Sequence, residues 1–334
     1  MSSANTPMKA EKFPREGITF KRVLSNINRN NTIYIFLLLV IFSSIMTDNF
    51  FTEGNLTNLL RQNASLGIVS FGMLMVILTG GIDLSVGAGL TLGNIIFAYT
   101  LKTGQPFIVA LLYAVFAGFL CGLISGYMVA YQKLAPFVVT LAVLSIAKGA
   151  SYIICNGASI QIKDKGFIEF SRTYFIGLPS QFYVMLAIFV IMFLVLRFTT
   201  YGRLVMAIGS NEEAVRLSGV RVNRYKMSVY CISGVFSTIA GIIVSGRTGV
   251  GSPLVGDGTE MDAIAAAVIG GASLNGGRGS VVKTIFGVFT LGLISNIMNL
   301  MKVPAYPQQV IKGIIILAAV LLQKFSNAKS KSTT

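Results

Sequence analysis

The sequence predicts an all-α polytopic membrane protein. Of the 334 residues, 54% are hydrophobic and only 12% are charged, whereas about 25% of the residues in an average soluble protein are charged. Long apolar runs recur from Ile33 to Leu322, and most of them approach the length of about 20 residues with which a helix crosses a bilayer. The chain is therefore predicted to be one transmembrane domain, 33–322, between the two tails 1–32 and 323–334.

Ten spans are predicted from the apolar runs. Their ranges are 33–47, 56–79, 84–101, 106–130, 136–155, 181–198, 227–246, 262–272, 281–300 and 304–322. The second, third, eighth and ninth spans are irregular. About thirty polar residues precede the first run and no small-residue cleavage site follows it, so we expect this run to be a retained helix and not a cleaved signal peptide.

The basic residues predict the orientation of the chain. With ten spans both termini lie on one side, and the segments on that side carry eighteen of the 27 lysines and arginines. Cytoplasmic loops are enriched in Lys and Arg, so both termini and the segment 199–226 are predicted to be cytoplasmic. The same bias explains the net charge of +15 without nucleic-acid binding. The absence of histidine excludes histidine-based catalysis.

A single carboxylate lies among five glycines in residues 78–93, LTGGIDLSVGAGLTLG. Asp83 is a candidate N-cap for the third span, where its side chain would accept backbone N–H bonds. It is also a candidate ligand for a substrate or a proton, because carboxylates inside membranes mark transport routes. The first interpretation is favoured, and the second stays open.

A weaker copy of this motif occurs later in the chain. GGIDLSVGAG at Gly80 and GGASLNGGRG at Gly270 share five identities at a constant offset of 190 residues. Paired glycine-interrupted spans in the two halves of a chain are typical of transporters with internal repeats, whose broken helices meet near the membrane middle. The candidate pathway residues are Gly80, Gly81, Asp83, Ser85, Gly270, Gly271 and Asn275.

Two further segments have sequence signals for local structure. Gly118, Gly122 and Gly126 are spaced by four, which predicts a face of the fourth span that another helix approaches closely. In the cytoplasmic segment, Ser210 or Asn211 is a candidate N-cap before the two glutamates 212 and 213. A helix of about two turns, ending near Gly219, is too short to be stable in water without a docking surface. It is either an ordinary connecting helix or a plug for a cytoplasmic partner.

Several ordered motifs resemble one transporter family. LTGGIDLSVG, AIGSNEEAVRLSGV, TEMDAIAAAVIGGASLNGGRG and VIKGIIILAAVLL are together similar to the permease subunits of ribose-type ABC monosaccharide importers, and the resemblance extends from about Ile33 to Leu322. It implies import of ribose or a similar pentose or hexose through the bacterial inner membrane. It also implies a second permease subunit, two ABC ATPase subunits or one fused ATPase chain, and a periplasmic sugar-binding protein.

The resemblance also implies roles for individual residues. The segment from Gly209 to Gly219 is similar to the coupling helix that docks on the ATPase, with the candidate contacts Gly209, Asn211, Glu212, Glu213, Ala214, Leu217 and Gly219. Glu260 and Asp262 match an acidic pair at the outer end of the eighth span, although Thr259 stands where a tyrosine is usual. Candidates for contact with the binding protein are Arg172, Arg247, Glu260 and Asp262.

No ATP-hydrolysing motif is present in the chain. The sequence lacks the loop G-x-x-x-x-G-K-[ST] that holds nucleotide phosphates, so we expect ATP and Mg to bind to a partner chain and no cofactor to bind here. An ion-coupled secondary transporter that uses Asp83 is the alternative. A membrane enzyme or scaffold is disfavoured, because no nucleophile beside a base and no metal cluster is recognisable.

Overall fold

The computed structural model describes residues 31–321, apart from 305, 316, 319 and 320. Most of the tail 1–32 and all of the tail 323–334 lie outside the described residues. The longer helices are α1 (Asn31–Met46), α2 (Glu53–Leu78), α3 (Val86–Lys102), α4 (Phe107–Ala130), α5 (Pro136–Cys155), α7 (Ser180–Phe198), α10 (Val222–Thr248) and α12 (Val281–Leu300). The shorter ones are α6 (Lys165–Arg172), α8 (Thr200–Ser210), α9 (Glu212–Leu217) and α11 (Thr259–Ile269). Residues 306–315 are helical as well.

Within the described residues, six helices are long and apolar enough to cross a membrane, namely α2, α4, α5, α7, α10 and α12. The chain is therefore an all-α polytopic membrane protein. The predicted boundaries are wrong in two places. α10 begins at Val222 and not near residue 227, and α11, with 11 residues, runs from Thr259 to Ile269, three residues earlier than the predicted 262–272. At about 1.5 Å per residue, α11 is too short to cross a bilayer as a helix.

Helix ends follow local chemistry. α5 has Pro136 in its first turn and ends at Asn156, which adopts a left-handed conformation with φ 49°. Pro is tolerated at this position because its missing N–H would have no helical partner. Gly249 ends α10 with φ 74°, a conformation that glycine adopts without steric cost. These ends fix where the connecting segments leave the bundle.

α10 is the central helix of the bundle, and it packs against α4, α3 and α2. A Cβ added at Gly118 or Gly122 of α4 would overlap backbone atoms of α10, and one at Gly126 would come within 2.7 Å of the Met227 carbonyl oxygen. The prediction of a close approach at this glycine face is therefore confirmed. On the neighbouring side, the Asn94 amide of α3 donates to the Gly241 carbonyl at 3.0 Å. Small residues thus bring the α10 backbone directly against two helices.

Two short antiparallel strand pairs lie at the end of the bundle where α5 and α10 finish. Strand β1 (Ile160–Gln161) pairs antiparallel with β4 (Val250–Gly251), and β2 (Tyr174–Phe175) pairs with β3 (Leu178–Pro179). α6 lies between these strands, and its N-cap Asp164 accepts the Phe167 N–H at 2.7 Å. This small layer covers the ends of α3 and α10.

Polar contacts join α2 to α12 near the same end. Asn55 and Asn296 exchange two hydrogen bonds of 3.2 and 2.7 Å between their amide groups. One turn or two further along, the Asn63 amide lies where a side chain on Gly292 would be. The absence of a side chain at Gly292 therefore allows a polar residue to be buried between the two helices.

Candidate functional site

The short helix α9 projects from the bundle as a separate turn and a half. Its N-cap is Asn211, whose side-chain oxygen accepts the Ala214 N–H at 3.0 Å, so the choice between Ser210 and Asn211 falls on Asn211. Gly219 follows the helix with φ 84°, the left-handed conformation typical of a residue just past a helix end. None of the residues of α9 is fully buried, and Leu217 is 80% exposed.

Charged side chains join α9 to the start of α10. Glu212 forms ion pairs with Arg216 at 2.6 Å and with Lys226 of α10 at 3.0 Å, while Glu213 reaches Arg216 at 3.3 Å. Partial burial would raise the pKa of the Glu212 carboxyl, but the hydrogen bond and charge of Lys226 and the charge of Arg216 outweigh this effect and hold that pKa below its usual range. Glu212 therefore tethers α9 to α10, and the helix dipole favours its negative charge in the first turn of α9.

The end of α8 meets both glycine motifs in a backbone contact that we call the glycine junction, formed by residues 78–80, 209–210 and 275–277. The Gly277 N–H donates to the Leu78 carbonyl at 2.9 Å. A Cβ at Gly209 would overlap both partners of that bond, and a Cβ at Gly276 would lie 2.8 Å from the Gly209 carbonyl oxygen and 2.9 Å from the Gly80 nitrogen. The two motifs therefore contact each other, but neither of them interrupts a helix, and the predicted broken helices are not present at either motif. Each connects the end of one helix to the start of the next, beside α8.

Left-handed glycines shape both motifs. Gly80 (φ 78°) follows α2, and Gly271 (φ 81°) follows α11. At the offset of 190 residues Gly80 aligns with Gly270, so the left-handed glycines of the two copies differ by one position. Gly270 packs against the backbone of α12 at Thr284, and the Asn275 carbonyl faces Gly80. The second copy therefore contributes backbone atoms to the junction. Of the predicted pathway candidates, Gly270 and Gly271 lie at the end of α11, and Asn275 lies in the connection between α11 and α12.

Asp83 is fully buried and connects α3 to α10. Its Oδ1 accepts the Ser85 N–H at 3.0 Å and the Ser85 hydroxyl at 2.5 Å, and its Oδ2 accepts the Ser233 hydroxyl at 2.8 Å. The predicted N-cap position is corrected by two residues, because the cap of α3 is Ser85. Asp83 closes the turn that precedes the helix. Gly81 lies so close to the buried Tyr230 hydroxyl that a side chain there would overlap it.

The four residues predicted for the outer face lie at the end of the bundle opposite the glycine junction. Arg172 and Arg247 are exposed. Glu260 and Asp262 are only half exposed, because Glu260 reaches over Gly87 of α3 and the Asp262 carboxylate pairs with Lys312 at 3.0 Å. The acidic pair is therefore directed toward neighbouring helices of the same chain.

Sequence reasoning missed two parts of this arrangement. It treated residues 199–226 as a loop with one short helix, whereas α8 occupies Thr200–Ser210. The spacing of Tyr201, Val205 and Ile208 is an amphipathic helical signal that could have revealed α8. The Ser233 contact of Asp83 lies 150 residues away in sequence, and no local pattern predicts it.

No cluster of three or more acidic, histidine or cysteine side chains suited to a metal ion occurs in the part of the chain that the structure describes. The functional features are instead a projecting polar helix, a backbone junction and a bundle of apolar helices. Together they define a polytopic membrane protein in which a projecting polar helix directly follows a helix end that contacts two other helix ends.

Comparison with known proteins identifies the family. The family model described as the permease component of a branched-chain amino acid transport system matches residues 55–320, and the chain belongs to this family of transport permeases. The ribose import permease protein RbsC of Bacillus subtilis is 40% identical over 293 residues, which cover 87% of this chain and 91% of the relative. The L-arabinose transport system permease protein AraH of Escherichia coli is 34% identical over the whole of both chains. The L-arabinose ABC transporter permease protein AraH of Azospirillum brasilense is 30% identical over 97% of each chain. No solved structure matches the chain significantly.

Proposed function

We propose that this chain is the transmembrane permease subunit of an ABC importer that carries a monosaccharide across the bacterial inner membrane. The observation that carries the proposal is α9. It has six residues, far fewer than the 12–15 or so that an isolated helix needs in water, yet it holds Leu217 out in solvent. A short capped helix with an exposed leucine is suited to a groove on a partner protein.

The glycine junction explains how a partner below α9 would act on the bundle. Asn211 begins α9 directly after α8, and α8 ends in backbone contact with the glycine motifs that follow α2 and α11. Movement of α9 is therefore passed to two helix ends without flexible side chains between them. ATP binding by the partner would move α9, and the helices would switch between inward-open and outward-open arrangements.

The proposal includes an orientation and about ten spans. α8, α9 and the start of α10 carry several arginines at one end of the bundle, which supports placing that end and both termini in the cytoplasm. Besides the six long apolar helices, α1, α3, α11 and the helical segment after residue 305 would complete the set. α11 would reach only part of the way, and the glycine motifs would be the two matching connections between helices of an internal repeat.

The proposed partners follow from the chemistry that this chain lacks. Two ABC ATPase subunits, or one fused ATPase chain, would bind ATP and Mg, and a periplasmic sugar-binding protein would deliver the substrate to the face that bears Arg172 and Arg247. No cofactor is proposed for this chain, and no nucleic acid. Relatives named for ribose and arabinose import support a pentose or a similar hexose as the substrate.

A second permease subunit is supported by charge on an otherwise apolar surface. Lys148, on α5, pairs with Asp257 at 2.8 Å, and both side chains are more than a third exposed. Charged groups in membrane spans face protein or water because contact with lipid is expensive. We therefore place this face of α5 against another permease subunit, which we propose is a second copy, or against the aqueous route between the two.

The alternative, an ion-coupled carrier that uses Asp83, finds less support. Asp83 is fully buried and both of its oxygens already accept hydrogen bonds, which suits a structural link between α3 and α10. A coupling site would need a carboxylate that ions or protons can reach in turn from each side.

The test is purification from native membranes in mild detergent, followed by identification of the chains that co-purify. We expect a Walker-type ATPase with the wild-type chain and its loss with Leu217→Asp. Leu254→Asp changes an equally apolar exposed side chain at the opposite end and should keep the ATPase. If a folded wild-type chain brings down no ATPase, or if Leu217→Asp retains it fully, the proposed docking role of α9 is wrong.

A further inference from the structure

A polar cavity of about 330 Å³ opens among apolar helices at the end of the bundle opposite the glycine junction. Its walls come from α2, α10, α11, α12 and the helical segment 306–315. Such a volume lies at the lower end of the range for small-molecule sites, about 300–1,000 Å³. The most informative lining residues are Gln62, Arg247, Asp262, Asn299, Gln308 and Lys312.

The side chains of this polar cavity keep unused hydrogen-bonding groups of both kinds. The Gln308 amide N–H₂ donates to the Asn299 Oδ1 at 2.9 Å and to the Val303 carbonyl at 2.8 Å. Within the described residues, the Gln308 Oε1 then has no donor and the Asn299 N–H₂ has no acceptor among the hydrogen bonds present. A free acceptor and a free donor therefore stand on adjacent amides, an arrangement that matches two neighbouring hydroxyl groups, each of which donates and accepts.

The charges around the polar cavity are mixed. The Asp262 carboxylate and the Lys312 ammonium pair at 3.0 Å, and each side chain remains about a quarter exposed. For the described part of the chain, no carboxylate lies within ion-pair distance of the Arg247 guanidinium. Its five N–H groups are suited to hydroxyl oxygens. A lining with paired charges and several amides favours a neutral polyol over a metal ion, which would require several oxygen ligands of negative charge.

The placement of the polar cavity has an energetic cost that packing alone does not explain. Amide and charged side chains in membrane helices are expensive and usually contact protein, water or a transported solute. Here they line a space, and the pairs Gln308–Asn299 and Asp262–Lys312 satisfy only part of their hydrogen-bonding capacity. Gly292 supplies the room for the Asn63 amide at the edge of this space. A bound solute that forms hydrogen bonds with these groups would offset this energetic cost.

We propose that the polar cavity binds the transported monosaccharide within the permease itself, with Asn299 and Gln308 reading neighbouring hydroxyl groups. This inference rests on the proposed function. It adds a specific sugar site on this chain to the recognition that the binding protein would provide.

The site is tested with the purified permease and its co-purifying ATPase in lipid nanodiscs, without binding protein. Ser295 lines the polar cavity, so Ser295→Cys places a thiol there, and its labelling by a water-soluble maleimide is measured above the background of the three native cysteines. We expect D-ribose or L-arabinose at millimolar concentration to slow labelling severalfold. The double variant Asn299→Leu/Gln308→Leu in the same background should abolish this protection. The matched control, Gln132→Leu, changes an exposed amide in the 131–135 loop and should leave protection unchanged.

Transport separates failure of the site from failure of the proposed function. Proteoliposomes that contain the complete importer should take up the sugar at least tenfold more slowly with the double variant, at unchanged protein yield and thermal stability. If the wild type imports sugar with ATP but shows no protection, and the double variant transports normally, the site is wrong and the proposed function stands. If D-gluconate protects better than the neutral sugars, the neutral-polyol assignment is wrong. If the wild type imports no monosaccharide with ATPase and binding protein present, the proposed function fails first.

Discussion

Gly209 lies against the carbonyl oxygen of Leu78 so closely that no side chain fits between the end of α8 and the end of α2. The same carbonyl accepts the Gly277 N–H, so three segments meet through their backbones alone. Backbone contacts of this kind transmit displacement with little loss, because no rotamer can absorb the movement.

Gly209→Ala is expected to disrupt transport. The added methyl group overlaps the Leu78 carbonyl and the Gly277 nitrogen, so the backbone must shift at a cost of about 1–3 kcal/mol or more. ATP-driven uptake in proteoliposomes should fall at least tenfold. Gly54→Ala is the control, since nothing lies within 4 Å of a Cβ at Gly54. Normal uptake with Gly209→Ala would show that the junction does not carry the coupling.

Asn211→Ala is expected to weaken ATPase binding. The substitution removes the side-chain bond to the Ala214 N–H, and a lost N-cap costs about 1 kcal/mol. This cost is equivalent to about a fivefold change in the ratio of ordered to disordered α9. The affinity of the purified permease for its ATPase should fall by a similar factor. Asn211→Asp retains an acceptor and should bind normally. Equal weakening by both variants would point to a direct contact of the amide with the partner.

Association with the ATPase should depend on pH through Glu212. The folded-state pKa of this carboxyl lies below its ordinary value of 4.5, so the tether to Lys226 stabilises α9 fully above that value. Its contribution is lost as pH falls through the lower folded-state pKa. The protection of the backbone amides of residues 211–219 against hydrogen exchange, measured relative to the unstructured chain at the same pH, should therefore fall in acid. Glu212→Gln should show lower protection already at neutral pH and little further change, whereas an unchanged acid response in that variant would assign the effect to another group.

Asp83→Asn distinguishes a structural carboxylate from a transport ligand. The amide oxygen can still accept from Ser85, but the N–H₂ can only donate to Ser233, whose own hydroxyl proton then loses its carboxylate acceptor. A buried donor left without its acceptor costs about 1–3 kcal/mol. We expect a lower apparent melting temperature and a lower yield, with uptake per folded complex within about twofold of wild type. Ser233→Ala should lower stability by a similar amount. Complete loss of transport in folded, ATPase-associated Asp83→Asn protein would revive the ion-coupled alternative.

The amide pair of Asn55 and Asn296 should behave as one unit. Asn55→Ala and Asn296→Ala each leave a partly buried amide without its partner, so each single variant should lower the melting temperature in detergent. The double variant should be less destabilised than the sum of the two, by about 0.5–2 kcal/mol. Additive effects would mean that the pair contributes no coupling between α2 and α12.

Composition and short motifs predict the class of fold because they report on local physics. The apolar runs locate most helices, the glycine face of α4 predicts its contact with α10, and Asn211 is recognisable as a cap because its preference depends on its immediate neighbours. The segment 199–226 was harder, since α8 mixes apolar and polar residues and resembles a loop on hydropathy alone.

The site depends on contacts between distant parts of the chain. The repeat suggested that the Gly80 and Gly270 motifs meet, but not that Gly209 lies between them, because a single glycine outside any repeated spacing gives no signal of its contacts. Lys312 and Asp262, which pair at the polar cavity, are 50 residues apart in sequence. Ser233 and Asp83, which share a hydrogen bond, are 150 residues apart. Packing of whole helices sets these distances, and a single sequence does not encode them in any local pattern.

The short spacing between Gly209 and Asn211 leaves α8 and α9 almost no freedom to move independently of each other. Two residues extend over at most about 7 Å of chain, and the first is clamped on both sides by backbone while the second starts α9. A single inserted residue would add about 3.5 Å of chain between α8 and α9. This extra length could absorb a small displacement of α9 by the ATPase before the displacement reached the membrane helices. The displacement that can be transmitted thus depends on the length of this connection as well as on its side chains. Deletions or insertions between residues 209 and 211 should therefore reduce transport far more than substitutions do.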